Sequence, residues 1–116
     1  MIVRPASTTS LLLAAVVITA TAARQADAQD ATAEQKRGET LLIKNCAPCH
    51  AVGRSGDSPR PEAPAFRTLS KKYPIETLAE SLAEGLFTGH PDMPEFTFEA
   101  PDVGAILAYL ESIQER

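Results

Sequence analysis

Cys46-Ala47-Pro48-Cys49-His50 is the stretch that organises this chain, because it holds both cysteines of the protein and a histidine directly after the second. Two thiols three positions apart can each add to one vinyl group of a haem, and the following imidazole can then ligate the iron. The pentapeptide therefore predicts a covalently attached haem c, with Cys46 and Cys49 as its attachment points and His50 as an iron ligand.

The same spacing of two cysteines also fits a thiol oxidoreductase of the thioredoxin type. That chemistry uses a buried strand directly before the motif, whereas residues 38–45 favour a helix. A zinc site has less support, because one CxxC needs a second pair of ligands and His90 is the only other histidine. The thiol oxidoreductase is thus the competing hypothesis for the pentapeptide.

The N-terminal part of the 116-residue chain has the pattern of a secretory signal peptide. Arg4 precedes an apolar run over residues 11–20, and small residues follow at 20–22 and 26–28. We expect cleavage after Ala28, which leaves one domain at 29–116 in the periplasm. The apolar run is shorter than the roughly 20 residues that span a bilayer, so no stable membrane insertion is expected after cleavage.

Charge is unevenly distributed along the expected mature domain. Residues 29–116 carry nine basic and fourteen acidic side chains, which argues against a nucleic-acid partner. Residues 44–72 have a local charge of +4, and residues 73–116 have a local charge of −8. This asymmetry is either ordinary solvated surface or a dipole that orients the protein toward a partner. In the second case, Lys71 and Lys72 are the expected docking cations.

Three segments with helical periodicity predict an all-α domain. The first covers about 34–45 and contains Gly38, whose cost of roughly 1 kcal/mol inside a helix indicates a close contact with another backbone. The second covers about 74–86, with Pro74 in its first turn, and the third covers about 101–114. Residues 51–65 are rich in glycine and proline and predict a long loop around a cofactor edge.

Met93 is the only methionine after the initiator, and prolines at 91 and 94 bracket it. Its thioether is a candidate second axial ligand, since flanking prolines stiffen a loop that must hold a weak ligand. His90 is the rival for that position, and an open coordination site is the third possibility. Phe66 and Leu69, isolated apolar residues after the long loop, are candidates to cap a haem face.

Together these features resemble the small class I cytochromes c, the monohaem electron carriers of respiratory and photosynthetic chains. The resemblance covers about residues 34–113 and rests on an ordered set of matches: Gly38, the CxxCH motif, Met93-Pro94 and the helix that contains 106–110. It implies the cytochrome c fold, with three main helices and irregular loops around one covalently bound haem c.

The resemblance also implies roles for individual residues. The Pro64 carbonyl would accept a hydrogen bond from the ring nitrogen of His50 that does not face iron. Phe66 would lie against the haem, and Gly38 would pack on the C-terminal helix near Ile106 and Tyr109.

One departure from the family pattern concerns the haem propionates. The chain has no tryptophan to bind them. Arg67, Lys72 and Tyr73 are the candidates for this contact.

The function that the resemblance implies is periplasmic electron transfer, with one electron carried on a haem c ligated by His50 and Met93. Both axial positions are then filled, so we expect no catalytic activity. The expected partners are redox proteins: a periplasmic dehydrogenase, a cytochrome complex, or a terminal oxidase or reductase. Three alternatives stay open: a cytochrome c subunit that accepts electrons from a periplasmic dehydrogenase, a ligand-binding or peroxidatic haem without Met93 on iron, and the thiol oxidoreductase.

Overall fold

The computed structural model describes the backbone of residues 10–85 and 92–115, and the side chains of residues 28–85 and 92–115. Within these ranges the chain forms helices and loops and no strand, which confirms the all-α prediction. None of the described helices is both long and apolar enough to cross a membrane. The elements are the α-helices α1 (Ser10–Asn45), α2 (Leu78–Glu84) and α3 (Ala100–Ile113), with the 3₁₀ helices Phe66–Lys71 and Ile75–Thr77 between α1 and α2.

The chain divides into two compact units, Met1–Ala31 and Thr32–Arg116. The described backbone of the first unit belongs entirely to α1, which begins at Ser10 rather than near the expected residue 34. This extension has a simple cause, because residues 10–37 contain alanine and other helix formers and neither glycine nor proline. The expected cleavage point after Ala28 lies inside α1 and stays a prediction.

The second unit is built around α3. One side of this helix is buried, as the predicted apolar stripe requires, and Ile106 at its centre is fully enclosed. The α1 residue Leu42, with 2 % of its surface exposed, packs in the same core. The remaining core residues come from α3 and from the segment 66–82: Phe66, Leu69, Ile75, Leu82, Val103, Tyr109, Leu110 and Ile113.

Gly38 lies where α1 and α3 approach most closely. A Cβ atom at this position would stand 2.0 Å from the carbonyl oxygen of Ala105 and 3.0 Å from the backbone nitrogen of Ile106. No other residue type can occupy this position without moving one of the helices. The prediction that Gly38 packs against the C-terminal helix near Ile106 is therefore confirmed.

The second predicted helix is present in two parts. The chain after Pro74 first forms the 3₁₀ turn Ile75–Thr77, in which the amide of Thr77 donates to the Pro74 carbonyl at 3.2 Å. It then continues as α2 and ends at Gly85, whose φ of +110° is unfavourable for residues with a Cβ atom. Leu86, the expected end of this helix, lies outside the described residues.

The long loop over 51–65 is confirmed, but the 3₁₀ helix Phe66–Lys71 directly after it was not predicted. Phe66 and Leu69 are buried and stand three residues apart, which is the repeat of a 3₁₀ helix. Two apolar residues in a six-residue segment are too few to show this periodicity in a sequence. This 3₁₀ helix matters for the candidate site, because Phe66 is its first residue and Pro64 lies two residues before it.

Candidate functional site

The CxxCH motif begins immediately where α1 ends at Asn45. The amides of Cys46 and Ala47 both donate to the Leu42 carbonyl, at 2.8 and 3.1 Å. The amides of Cys49 and His50 then both donate to the Cys46 carbonyl, at 3.1 and 2.9 Å. These bonds satisfy backbone groups at the helix end and fold the motif into a tight turn. As a result both thiols and the imidazole line the same cavity.

This cavity has a volume of about 390 Å³, and three segments of the second unit form its walls. They are the end of α1 with the motif, the loop over 60–64, and the segment 92–96. Of the predicted site residues, Cys46, Cys49, His50, Pro64 and Met93 all line it. The other lining residues are Asn45, Arg60, Glu62, Ala63, Asp92, Pro94 and Phe96. His90, the rival ligand, lies outside the described residues.

The His50 imidazole is held with one nitrogen free. Its Nδ1 atom lies 2.8 Å from the Pro64 carbonyl oxygen. A carbonyl only accepts hydrogen bonds, so Nδ1 carries the proton and donates it. In the neutral ring, Nε2 then keeps its lone pair and is available to a metal. The resemblance to the class I cytochromes c implied this orientation for an imidazole that ligates iron.

Phe66 supports the same ring from another side. Its ring centroid lies 4.6 Å from that of His50, with an angle of 31° between the planes. Phe66 is buried behind the imidazole and is not among the cavity-lining residues, so its direct contact with haem stays a prediction. Phe96, which was not predicted, lines the cavity instead. The feature of the sequence that could have identified Phe96 as a lining residue is its position three residues after Met93.

The two cysteines form no disulfide with each other, and the environment of Cys46 does not suit thiol redox catalysis. Burial, and secondarily the neighbouring Cys49, raises the pKa of Cys46 to about 11. Catalytic thiols in CxxC oxidoreductases instead have a lowered pKa, because the thiolate is the nucleophile. A helix, not a strand, also precedes the motif. Both observations weaken the thiol oxidoreductase alternative.

Arg60 connects the motif to the segment that carries Met93. Its amide donates to the Cys49 carbonyl at 3.2 Å, and its guanidinium Nη1 donates to the Asp92 carboxylate at 3.0 Å. The side chains of this ion pair are 46 % and 67 % exposed, so it stabilises the protein by about 1 kcal/mol at most. The link nevertheless joins two walls of the cavity.

The propionate contacts of Arg67, Lys72 and Tyr73 stay a prediction. Arg67 donates to the Glu115 carboxylate at 2.9 Å and to the Gly56 carbonyl at 2.8 Å. Neither it nor Lys72 nor Tyr73 lines the cavity, whereas Arg60 does. The direction of the Arg67 side chain depends on an acidic partner far away in the chain.

The basic segment 44–72 is also less positive than its composition suggests. Lys71 donates to Glu115 at 2.7 Å, and Arg67 donates to the same carboxylate. Arg60 pairs with Asp92. Three of the six basic side chains therefore lie against acidic groups from the C-terminal half, which reduces the separation of charge.

Tyr109 ties α3 to the segment just after the motif. Its hydroxyl lies 3.1 Å from the Val52 carbonyl, to which it donates, and 3.3 Å from a Glu39 carboxylate oxygen. Burial, followed by the charge and hydrogen bond of Glu39, raises the pKa of Tyr109 above its ordinary value. The hydroxyl therefore stays protonated and keeps these contacts at neutral pH.

Comparisons with known proteins agree with the chemistry of the cavity. Residues 33–110 match the family model described as cytochrome c oxidase, cbb3-type, subunit III. The chain is also similar to cytochrome c-552 of Bradyrhizobium diazoefficiens, with 29 % identity over 82 residues that cover 71 % of this chain and 77 % of that relative. No solved structure gives a significant match. The matched family range includes the CxxCH motif and Met93.

Proposed function

Since the chain belongs to the family of cytochrome c oxidase, cbb3-type, subunit III, and is thus a small electron-transfer protein with covalent haem c, we propose that it is a periplasmic one-electron carrier. In this proposal His50 and Met93 are the two axial ligands of the iron, and Cys46 and Cys49 form the thioether bonds. Residues 1–28 are the signal peptide, and residues 29–116 are the cytochrome c domain.

The observation that carries the proposal is the set of donor atoms around one cavity. Two thiols, an imidazole with its Nε2 lone pair free and a thioether all line it. This set fits haem c, since the thiols can bond to the vinyl groups and the other two atoms are known haem ligands. When bound, the haem supplies a ferrous–ferric couple. The protein supplies its attachment, its axial ligands and an environment that raises the reduction potential.

Apolar groups favour electron transfer over reaction at the iron. Pro64, Pro94 and Phe96 line the cavity beside the ligands and give it an apolar wall. The Pro64 carbonyl, which accepts the Nδ1 hydrogen bond, would hold the imidazole in one orientation when it ligates the haem iron. With His50 and Met93 both bound, no coordination position is left for a substrate, so we propose that the protein has no catalytic activity of its own.

The proposed partners are periplasmic redox proteins: a dehydrogenase, a cytochrome complex, or a terminal oxidase or reductase. Contacts of this kind are small, polar and quickly released. If Lys71 and Lys72 dock a partner, neutralising both slows electron transfer at low salt and has little effect at high salt. Equal rates at low salt would refute this docking role. Lys71 pairs with Glu115 at 2.7 Å, which partly compensates its charge.

A second candidate is a subunit that stays bound to a larger redox enzyme, accepting electrons from a periplasmic dehydrogenase. The matched family is described as an oxidase subunit, and this description is the reason to consider the second candidate. Size-exclusion chromatography of the protein from its native source separates the two candidates. A free carrier elutes at the size of the single domain, whereas a subunit co-elutes with dehydrogenase activity.

The ligand assignment is tested by the optical spectrum of the oxidised holoprotein, together with a haem stain on a denaturing gel. We expect the stain to persist and the weak near-infrared band of sulfur-to-iron ligation to be present. Met93→Ala should abolish this band, whereas His90→Ala should leave it unchanged. A high-spin spectrum in the wild-type protein would support the ligand-binding or peroxidatic alternative and exclude the proposed carrier.

Location is tested separately by cell fractionation and mass spectrometry of the holoprotein. We expect the haem-containing protein in the periplasmic fraction, with a mature N-terminus at residue 29. A holoprotein that keeps residues 1–28 and sediments with membranes would show that α1 is retained as an anchor.

A further inference from the structure

Gln114, the residue directly after α3, binds both ends of the 3₁₀ helix Phe66–Lys71. Its side-chain Nε2 donates to the Phe66 carbonyl at 2.9 Å, and its Oε1 accepts from the Ser70 amide at 2.9 Å. Nε2 also donates to the Leu110 carbonyl at 2.7 Å, which anchors the amide to α3 itself. One side chain thus sets the position of this short helix relative to α3.

Glu115 adds three contacts to the same helix. Its amide donates to the Arg67 carbonyl at 2.9 Å, and its carboxylate accepts from Arg67 Nε at 2.9 Å and from Lys71 Nζ at 2.7 Å. The hydrogen bonds from Lys71 and Arg67 hold the pKa of Glu115 below its ordinary value, so the carboxylate is charged at neutral pH. A 3₁₀ helix has poor internal hydrogen-bond geometry, so outside contacts like these decide where it lies.

The beginning of this helix contacts the His50 imidazole in two ways. The Phe66 ring packs on the imidazole at 4.6 Å, and the Pro64 carbonyl, two residues earlier, accepts the Nδ1 hydrogen bond at 2.8 Å. The Phe66 amide also donates to the Ala51 carbonyl, next to His50, at 2.9 Å. Movement of Phe66 therefore changes both the packing and the hydrogen bond of the imidazole.

We propose that Gln114 is a positioning residue for the His50 imidazole, acting through the Phe66–Lys71 helix and the Pro64 carbonyl, with Glu115 reinforcing it. The proposal rests on the proposed function, in which His50 ligates the haem iron. Loss of the Gln114 contacts weakens the Nδ1 hydrogen bond and makes the imidazole a poorer electron donor. The ferrous state is then favoured, and the reduction potential rises.

The test compares Gln114→Ala with Ser112→Ala in the holoprotein. Ser112 is the matched control, since its hydroxyl donates to the Tyr109 carbonyl on the same helix and, among the described residues, forms no hydrogen bond to the Phe66–Lys71 helix. The two readouts are the solvent-exchange rate of the His50 Nδ1 proton, measured by NMR in the reduced state, and the reduction potential. We expect Gln114→Ala to speed the exchange about fivefold and to raise the potential, because the Nδ1 hydrogen bond of His50 is weakened by about the net free energy of one hydrogen bond. Ser112→Ala should change neither.

Gln114→Asn keeps the test decisive if the alanine variant does not fold. Its amide has the same donors and acceptor but is one methylene shorter and adds no charge, so its effects should have the same direction and a smaller size. Wild-type exchange and potential in either folded Gln114 variant would overturn the proposal, as would equal changes in Ser112→Ala. Failure of the proposed function is distinguishable, because it is seen in the wild-type spectrum before any variant is compared.

Discussion

Replacing Gly38 with alanine tests whether the contact between α1 and α3 depends on the absence of a side chain. The new Cβ would lie 2.0 Å from the Ala105 carbonyl oxygen, about 1.5 Å short of a normal van der Waals separation. The obstructing atoms belong to a helix backbone, so no rotamer change relieves the clash and the helices must separate. Separation also loosens the packing of Leu42 on the buried face of α3.

The expected magnitude follows from two opposing effects. Overpacking a core typically costs about 1–3 kcal/mol and occasionally more. A clash with backbone belongs among the larger values, at roughly 4 kcal/mol. Alanine regains about 1 kcal/mol because it favours a helix more than glycine does. We therefore expect Gly38→Ala to lower the free energy of unfolding by about 3 kcal/mol, a large part of the stability of so small a domain.

Guanidinium denaturation of the holoprotein, followed by far-ultraviolet circular dichroism, measures this difference. The matched control is Gly53→Ala, since a Cβ there meets only the Ser55 carbonyl oxygen at an ordinary 3.9 Å. That variant should unfold within about 0.5 kcal/mol of wild type. If Gly38→Ala were as stable as wild type or more stable, the reasoning from close helix packing would be wrong.

Three further predictions concern pH, backbone conformation and the cofactor. Glu39→Gln should lower the pKa of Tyr109 toward its ordinary value without restoring it fully, because burial is the larger cause of the shift; ultraviolet difference titration measures this. Since a raised pKa stabilises the folded state below the ordinary value, wild-type stability should fall as pH rises past about 10, and a curve that stays flat there would contradict the assignment. Gly85→Ala should lower the free energy of unfolding by about 1–3 kcal/mol, because the φ of Gly85 is +110°. The new Cβ would also lie 2.6 Å from Glu95 Oε1, an atom at the end of a flexible side chain. Unchanged stability in thermal denaturation would refute this. Protein made without haem attachment should unfold at least about 10 °C below the holoprotein, because its cavity loses a large apolar filling, and a calorimetric midpoint equal to that of the holoprotein would disprove it.

The chemistry of the site could be predicted from the sequence because it depends on rare residue types at short spacing. Two cysteines, a neighbouring histidine and a single internal methionine leave few alternatives, and all four side chains do line one cavity. The close contact of Gly38 could also be inferred, since glycine is costly inside a helix and needs a reason to be there.

Other features depended on partners far away in the chain and could not be predicted. The direction of Arg67 is set by Glu115, 48 residues later, and the link from Arg60 is set by Asp92, 32 residues later. Such pairs carry no periodic signal, so the pairing of these basic side chains could not be predicted from the sequence. The N-terminal extension of α1 was missed for another reason, because a segment with the composition of a signal peptide is also a good helix former.

By itself, then, the sequence determined the covalent chemistry, the all-α class and the set of candidate iron ligands, because these follow from residue identity and from local hydrophobic repeats. Only the tertiary structure decided how the segment that holds the histidine is itself positioned. The 3₁₀ helix Phe66–Lys71 has too few apolar residues to be recognised, and its position is set by Gln114 and Glu115 across the core. The physical reason is that hydrogen bonds between distant segments depend on the packing of helices, which short-range patterns do not encode.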